Sequence, residues 1–203
     1  MSLVIGKFRA IANASAKFQF LFLVFFVGVF VFHHMMSRPL QEYPDGMNLP
    51  DARFGYTPAE LNAWYDSIGT EGCSVYIQLA SLDFILIMPT YIIFLGSLLV
   101  YLSDKCKSIS IVAPILVEHF AYIPVITVLF DVMETYIQRR GCVLYPEKLK
   151  DSQLQLGSRA NMFKWIFLAV TMLLIFAATI YAAVESKSAP PKEKKAVLLK
   201  KTE

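Results

Sequence analysis

The chain has 203 residues, the size of about one domain, and 56% of them are hydrophobic against 17% charged. A soluble globular chain carries about 25% charged residues, so this composition, with a mean hydropathy of +0.52, is that of a membrane protein. The net charge of +3 and the scatter of the basic residues exclude a nucleic-acid-binding stripe, and no internal repeat marks a solenoid.

A helix needs about 20 mainly apolar residues to cross a bilayer. Four segments meet that length, and together they predict an all-α membrane protein with four transmembrane helices. Residues 1–17 form a short N-terminal segment. Span one follows at 18–36, "FQFLFLVFFVGVFVFHHMM". It has no small-x-small cleavage site after the apolar run and ends on His33-His34-Met35-Met36, so it reads as a retained span rather than a signal peptide.

Residues 37–75 are the one long loop. "RPLQEYPDGMNLPD" is turn chemistry. "YTPAELNAWYDSIGTEG" then reads as a helix, with Thr57 as N-cap, Pro58 in the first turn and Glu60 completing a capping box. Leu61, Trp64, Tyr65 and Ile68 fall at i, i+3, i+4 and i+7, which makes one apolar face. The expectation is an amphipathic helix between spans one and two that closes the mouth of the bundle, with packing on its own protein favoured over partner binding.

Spans two, three and four read as 76–101, 109–137 and 161–184, with Pro89, Pro114 and Pro124 as expected kinks. Residues 185–203 form a polar, Lys-rich tail of disordered composition. Four spans put both termini on one side. Counting Lys and Arg gives eleven on that side and eight on the other, which favours cytosolic termini and a luminal 37–75 loop. The last four residues, Lys200-Lys201-Thr202-Glu203, match the dilysine retrieval pattern of endoplasmic reticulum (ER) membrane proteins, a receptor-read address. If that match is accidental, the mitochondrial inner membrane is the alternative. In this topology Cys73 and Cys142 lie on the luminal side at the mouths of adjacent helices, where an oxidising compartment permits a bridge if their geometry allows one.

The ionisable residues inside the spans are the candidate site. Asp131 and Glu134 are three apart and share a helix face. Asp131 lies about 9 Å before the end of span three, and Asp83 about 10 Å into span two from the same side. Lys164 stands near the start of span four, and His33 and His34 close span one. Intramembrane charges face the bundle interior or a watery cavity and tend to pair. Three readings compete. Lys164 paired with Asp131 or Asp83, with bonds from Thr127, Ser81 or Tyr91, would lock the helices. The carboxylates could instead form the polar end of a ligand or catalytic pocket, with His33 or His34 moving a proton. A metal centre is the weakest reading, because "HHMM" lacks i, i+3 or i+4 spacing and no Glu-x-x-His occurs; no metal and no cofactor are expected. With no nucleophile motif, phosphate loop or CxxC, enzymatic activity stays unassigned.

Two resemblances rest on these residues. "IGTEGCSVYIQLASLDFILIMPTY", "IPVITVLFDVMET" and "FKW" resemble a pattern of four-span membrane proteins without an assigned activity; Cys73 and Thr135 stand where that pattern has Arg and Asn. The four-span layout, the long loop after span one, the lysine-bearing tail, Asp83 six residues before Pro89 with Tyr91 following, and Pro124 leading to Asp131 are similar to the EXPERA family of sterol isomerases and the sigma-two receptor. That resemblance implies a sterol- or amine-binding pocket lined by Asp83 and Asp131. The family's second-span acid is typically Glu, and Lys164-Trp165 is not part of its pattern. The resulting expectation is an ER membrane protein with an intramembrane polar pocket that binds or modifies a sterol- or lipid-like molecule. The alternative is a non-catalytic structural subunit or assembly factor with membrane protein partners.

Overall fold

The computed structural model describes residues 2–14, 16–41, 49–105 and 119–188. These are helices joined by short connections, and no strand occurs among them. Cys106, Pro114, Glu118, the start of the expected third span and the tail with Lys200 and Lys201 lie outside the described residues.

Helix α1 (Ser2–Ala12) occupies the stretch read as an N-terminal segment. Its Ile5, Phe8 and Ala12 are buried while Leu3 is exposed, the pattern of a helix with one apolar stripe. Helix α2 (Ala16–Gln41) runs five residues past the expected end of span one. It exposes Leu23, Val24, Phe25, Val27, Phe30, Val31 and Phe32 and buries Val29.

Helix α3 (Pro58–Leu82) starts as expected. Thr57 Oγ1 accepts the Glu60 N–H at 3.2 Å, and Glu60 Oε2 accepts the Thr57 N–H at 2.6 Å. Leu61, Trp64, Tyr65 and Ile68 are all buried in a core with Tyr76, Leu79, Ile137 and Leu154, so the amphipathic face packs on its own protein. The loop helix and the second span are, however, one element. Gly69 (φ 59°, ψ −164°) kinks α3 without ending it; a positive φ of that kind is open to glycine and strained for other residues.

A π-helical turn, Asp83–Ile87, then leads into helix α4 (Met88–Lys105). Pro89 explains the widened turn. Its ring clashes with the carbonyl four residues back in regular α geometry, and a π-turn is one of the few ways a helix absorbs such a defect. Pro124 does not kink anything: it lies in the first turn of helix α5 (Ile123–Leu144), where a missing N–H costs nothing. Helix α6 (Asp151–Ser188) has 38 residues, ~57 Å of helix, and begins ten residues before the expected fourth span. Its early turns turn Leu154, Ala160 and Asn161 inward, so packing carries the helix past the edge of the apolar run.

Two helical segments, Pro58–Asp104 and Asp151–Tyr181, are long and apolar enough to cross a membrane, and Phe22–Arg38 is a shorter apolar helix. The core divides into three clusters along these helices. One joins α3 to α5 and α6 around Trp64 and Tyr76. A middle one holds Ile87, Met88, Tyr91 and Val128. The third sits at the far end of α4, where Phe8 and Ala12 of α1 meet Leu99, Val100 and Ala121.

Gly96 makes that last contact possible. A methyl group on it would stand 2.5 Å from Phe8 Cε2, whereas one on Gly28 would meet nothing within 4 Å. Gly96→Leu is therefore expected to lift α1 from α4, at a cost of about 1–3 kcal/mol, while Gly28→Ala leaves the fold intact. Hydrogen exchange over residues 2–12, beside thermal melts in detergent, measures both.

Candidate functional site

The residues that meet at the centre come from regular spacing on two helices and from one loop. On α5, Asp131, Glu134 and Gln138 recur at i, i+3 and i+7, which places them on one face. On α6, Ser158, Asn161 and Lys164 recur every three residues. The loop between α2 and α3 contributes Asp51, Gly55 and Tyr56.

Glu134 is wholly buried. Its Oε2 lies 2.7 Å from Lys164 Nζ. Its Oε1 accepts from Asn161 Nδ2 at 2.6 Å and from Gln138 Nε2 at 2.8 Å. Lys164 Nζ also lies 3.3 Å from Asp131 Oδ1, and Tyr91 OH of α4 donates to Asp131 Oδ2 at 3.1 Å. One ammonium thus sits between two carboxylates, with neutral donors completing the shell. This is the arrangement that a buried charge requires, since leaving one unpaired in an apolar interior costs several kcal/mol.

Gln138 extends the network. Its Nε2 donates to Tyr56 OH at 3.3 Å, its backbone carbonyl accepts from Tyr65 OH at 3.1 Å, and Tyr76 OH donates to its Oε1. Burial holds the Tyr56 phenol well above its ordinary pKa, and the charge of Glu134 adds to the effect, so the phenol stays protonated. The loop is fastened from the other side. The carbonyl of Asp51 accepts from Trp165 Nε1 at 3.1 Å, Asn161 Nδ2 at 3.3 Å and Lys164 Nζ at 3.4 Å. The Gly55 N–H donates to Asn161 Oδ1 at 2.8 Å and the Tyr56 N–H to Ser158 Oγ at 2.9 Å. Gly55 has φ +81°, and a Cβ there would stand 3.0 Å from Met162 Cγ, so glycine suits this turn on both counts.

The expected site residues divide into three groups. Asp131, Glu134 and Lys164 come together as one ion-pair network. Asp83 pairs not with Lys164 but with His33, whose Nε2 lies 2.8 Å from Asp83 Oδ1. His34 is exposed, because adjacent helical residues diverge by about 100° and His33 takes the inward position. Thr127 and Ser81 take no part, since their hydroxyls donate to the backbone carbonyls of Ile123 and Ile77.

Cys73 of α3 and Cys142 of α5 are both buried and lie in side-chain contact. The expected neighbourhood is present. Among the described residues no group of three or more His, Cys, Asp and Glu is placed to hold a metal ion.

Sequence reasoning missed Gln138, Asn161, Tyr56 and Asp51. Two of these had a signal: Gln138 follows Glu134 by four residues and Asn161 precedes Lys164 by three, so each extends a face already identified. Asp51 had none, because it acts through its backbone carbonyl. The site cannot be read by analogy either: no family model matches the chain, and no curated protein or solved structure matches it significantly.

Removing one partner tests the network. Lys164→Met strands two carboxylates and is expected to cost about 3–5 kcal/mol, whereas Lys164→Met combined with Glu134→Leu and Asp131→Leu recovers most of that loss. Tyr91→Phe, which removes a single bond to a charged group, is expected to cost about 1.5–3 kcal/mol. Melting temperature and gel-filtration profile in detergent read all three.

Proposed function

We propose that the protein is a four-span membrane protein of the endoplasmic reticulum with both termini in the cytosol, and that it works without catalysis, as a structural subunit or assembly factor of a membrane protein complex. The closure of the polar cluster supports this reading best. Glu134 has 0% exposure, both its oxygens are occupied by groups of this chain, and the nearest cation is already shared with Asp131. A substrate would have to break the contacts that hold α5, α6 and the 49–57 loop together.

The apolar exterior supports the membrane placement. Leu129, Leu173 and Phe176 are 63%, 67% and 65% exposed, a pattern suited to lipid. Helix α2, with 26 residues, extends ~39 Å and α5, with 22, ~33 Å, so each is long enough for the ~30 Å hydrocarbon layer and they are candidates for the remaining two spans. At ~57 Å, α6 is longer than that layer, so its first turns, with Ser158 and Asn161, would reach out of the membrane to meet the loop. The Lys/Arg asymmetry and the Lys200-Lys201 tail carry the orientation and the address.

A second reading draws on the rim of the same cluster. The side chains of Asp83 and Asp131 keep 13% and 16% exposure, and each contacts a group able to move a proton, His33 and Tyr91. They would form the polar end of the sterol- or lipid-like pocket that the EXPERA resemblance implies.

Asp131→Asn separates the two. The structural reading expects a lower melting temperature, by about 1.5–3 kcal/mol of lost ion pairing, with no change in co-purifying lipid by mass spectrometry. An unchanged melt with loss of one specific lipid would transfer the function to the pocket. Topology has its own test. A glycosylation acceptor inserted in the 37–57 loop is expected to be modified in microsomes and one placed after residue 188 is not. Lys200→Ser with Lys201→Ser is expected to release the protein from the ER; glycosylation of the tail would invert the orientation.

A further inference from the structure

The contact between α3 and α5 continues past the polar network. Tyr76 OH of α3 donates to the Gln138 side chain of α5. One turn further along, Cys73 lies in side-chain contact with Cys142. A step of three residues back on α3 matches a step of four forward on α5, the pattern of antiparallel neighbours. Tyr65 fastens the same stretch from the arm of α3. Its OH donates to the Gln138 carbonyl at 3.1 Å, and it packs so closely on Gly141 that a side chain there would run into its ring. The two cysteines therefore form one rung in a register that hydrogen bonds and packing set on both sides.

A single buried cysteine acts as a small hydrophobe. Two that meet from separate helices are a different case, because loss of their hydrogens joins the helices covalently. The chain has three cysteines. In the proposed topology Cys73 and Cys142 fall on the luminal side and Cys106 on the cytosolic side, so the compartment that permits disulfides holds the two that meet. Burial decides what kind of disulfide this is. Cys73 and Cys142 keep 2% and 4% exposure and share a core cluster with Leu61, Tyr65 and Ile68. Redox-sensing cysteines are solvent-accessible; these are closed to an attacking thiol once the helices have packed.

We infer that Cys73 and Cys142 are joined during folding by a disulfide-bearing oxidoreductase of the lumen, and that the bond is a permanent staple between α3 and α5 rather than a switch. The inference rests on the luminal placement proposed above. The thiolate of one cysteine attacks the oxidant's disulfide, which forms a mixed disulfide and releases one oxidant thiol. The second cysteine then attacks the protein sulfur of the mixed disulfide and displaces the other oxidant thiol. The two protein thiols lose two protons and two electrons, and the oxidant's disulfide takes them up as two thiols. This exchange precedes the packing of the 61–68 arm, which shares the core with both sulfurs. Gly69 is the joint between that arm and the turn that carries Cys73.

The test uses the full chain synthesised into microsomes, with a glycosylation acceptor in the 37–57 loop of a parallel sample to report its side. Free thiols are blocked with N-ethylmaleimide in denaturant, without reductant, and the peptides are mapped by mass spectrometry. The expected result is a linked peptide pair joining Cys73 to Cys142, lighter by two hydrogens than the separate thiol peptides, with Cys106 blocked. Dithiothreitol added to the folded protein in detergent is expected to leave the link intact and to cut it once denaturant is present. Cys73→Ala with Cys142→Ala is expected to lower the melting temperature by about 5–15 °C. The mapping on the unsubstituted chain decides the matter even where that variant fails to fold. Both cysteines blocked in a protein whose loop is glycosylated overturns the disulfide and leaves the orientation standing. Both blocked with the loop unglycosylated overturns the two together. A link from either cysteine to Cys106 overturns the pairing. Reduction of the folded protein as fast as of the denatured one overturns the staple in favour of an accessible switch.

Discussion

Lys164 is the constraint on which the rest depends. Its side chain, 10% exposed, lies between α5 and α6, where an ammonium is stable only with a counter-charge and with its N–H groups occupied. Both counter-charges come from α5, three residues apart on one face, and that spacing fixes the rotation and the height of α5 against α6. A shift of α5 by one residue would swing the carboxylates about 100° away and leave the ammonium bare. Phe130, stacked on Phe163 and Phe167 at 5.2 and 5.7 Å, packs beside the pair, so apolar and ionic contacts demand the same register.

Two carboxylates for one ammonium leave an excess of acceptors, and this excess organises the surroundings. Asn161, Gln138 and Tyr91 supply the missing donors. Each then presents a second polar group that must be met in turn. Asn161 meets the loop at Gly55 and Asp51, and Gln138 meets Tyr56, Tyr65 and Tyr76. The tyrosines hold α3 on either side of its Gly69 kink. The loop and the amphipathic arm of α3 therefore follow from the lysine, through a chain of hydrogen-bonding requirements.

Much of this was legible in the sequence, for reasons that can be named. Local signals were reliable: the capping box at Thr57 and Glu60 and the Leu61-Trp64-Tyr65-Ile68 face are short-range and periodic, and the structure has both. The face shared by Asp131 and Glu134, and Lys164 as a partner for Asp131, follow from charge in an apolar run. What the sequence hid depends on tertiary context. Helix α1 carries only Ile5, Phe8 and Ala12 as a stripe, too few to stand out in so apolar a chain, and Gly96, which receives Phe8, lies 88 residues away. The continuity of α3 hid behind Gly69, which reads as a loop residue and serves as a kink. Depth alone leaves Asp131 and Asp83 as alternative partners of Lys164, because depth does not give azimuth. His33 of α2 stands 2.8 Å from Asp83 and becomes its partner.

The two ends of α4 show how this distribution of polarity bears on function. Near its start, Tyr91 joins a network in which Asp131, Glu134 and Lys164 are matched by groups of the same chain. Such an end resists ligands, because anything that enters must replace contacts already close to ideal. Toward its other end the contacts are apolar, with Phe8 and Ala12 of α1 against Leu99 and Val100. Helix α1 reaches that place through the contact of Phe8 with Gly96, so that glycine seats α1.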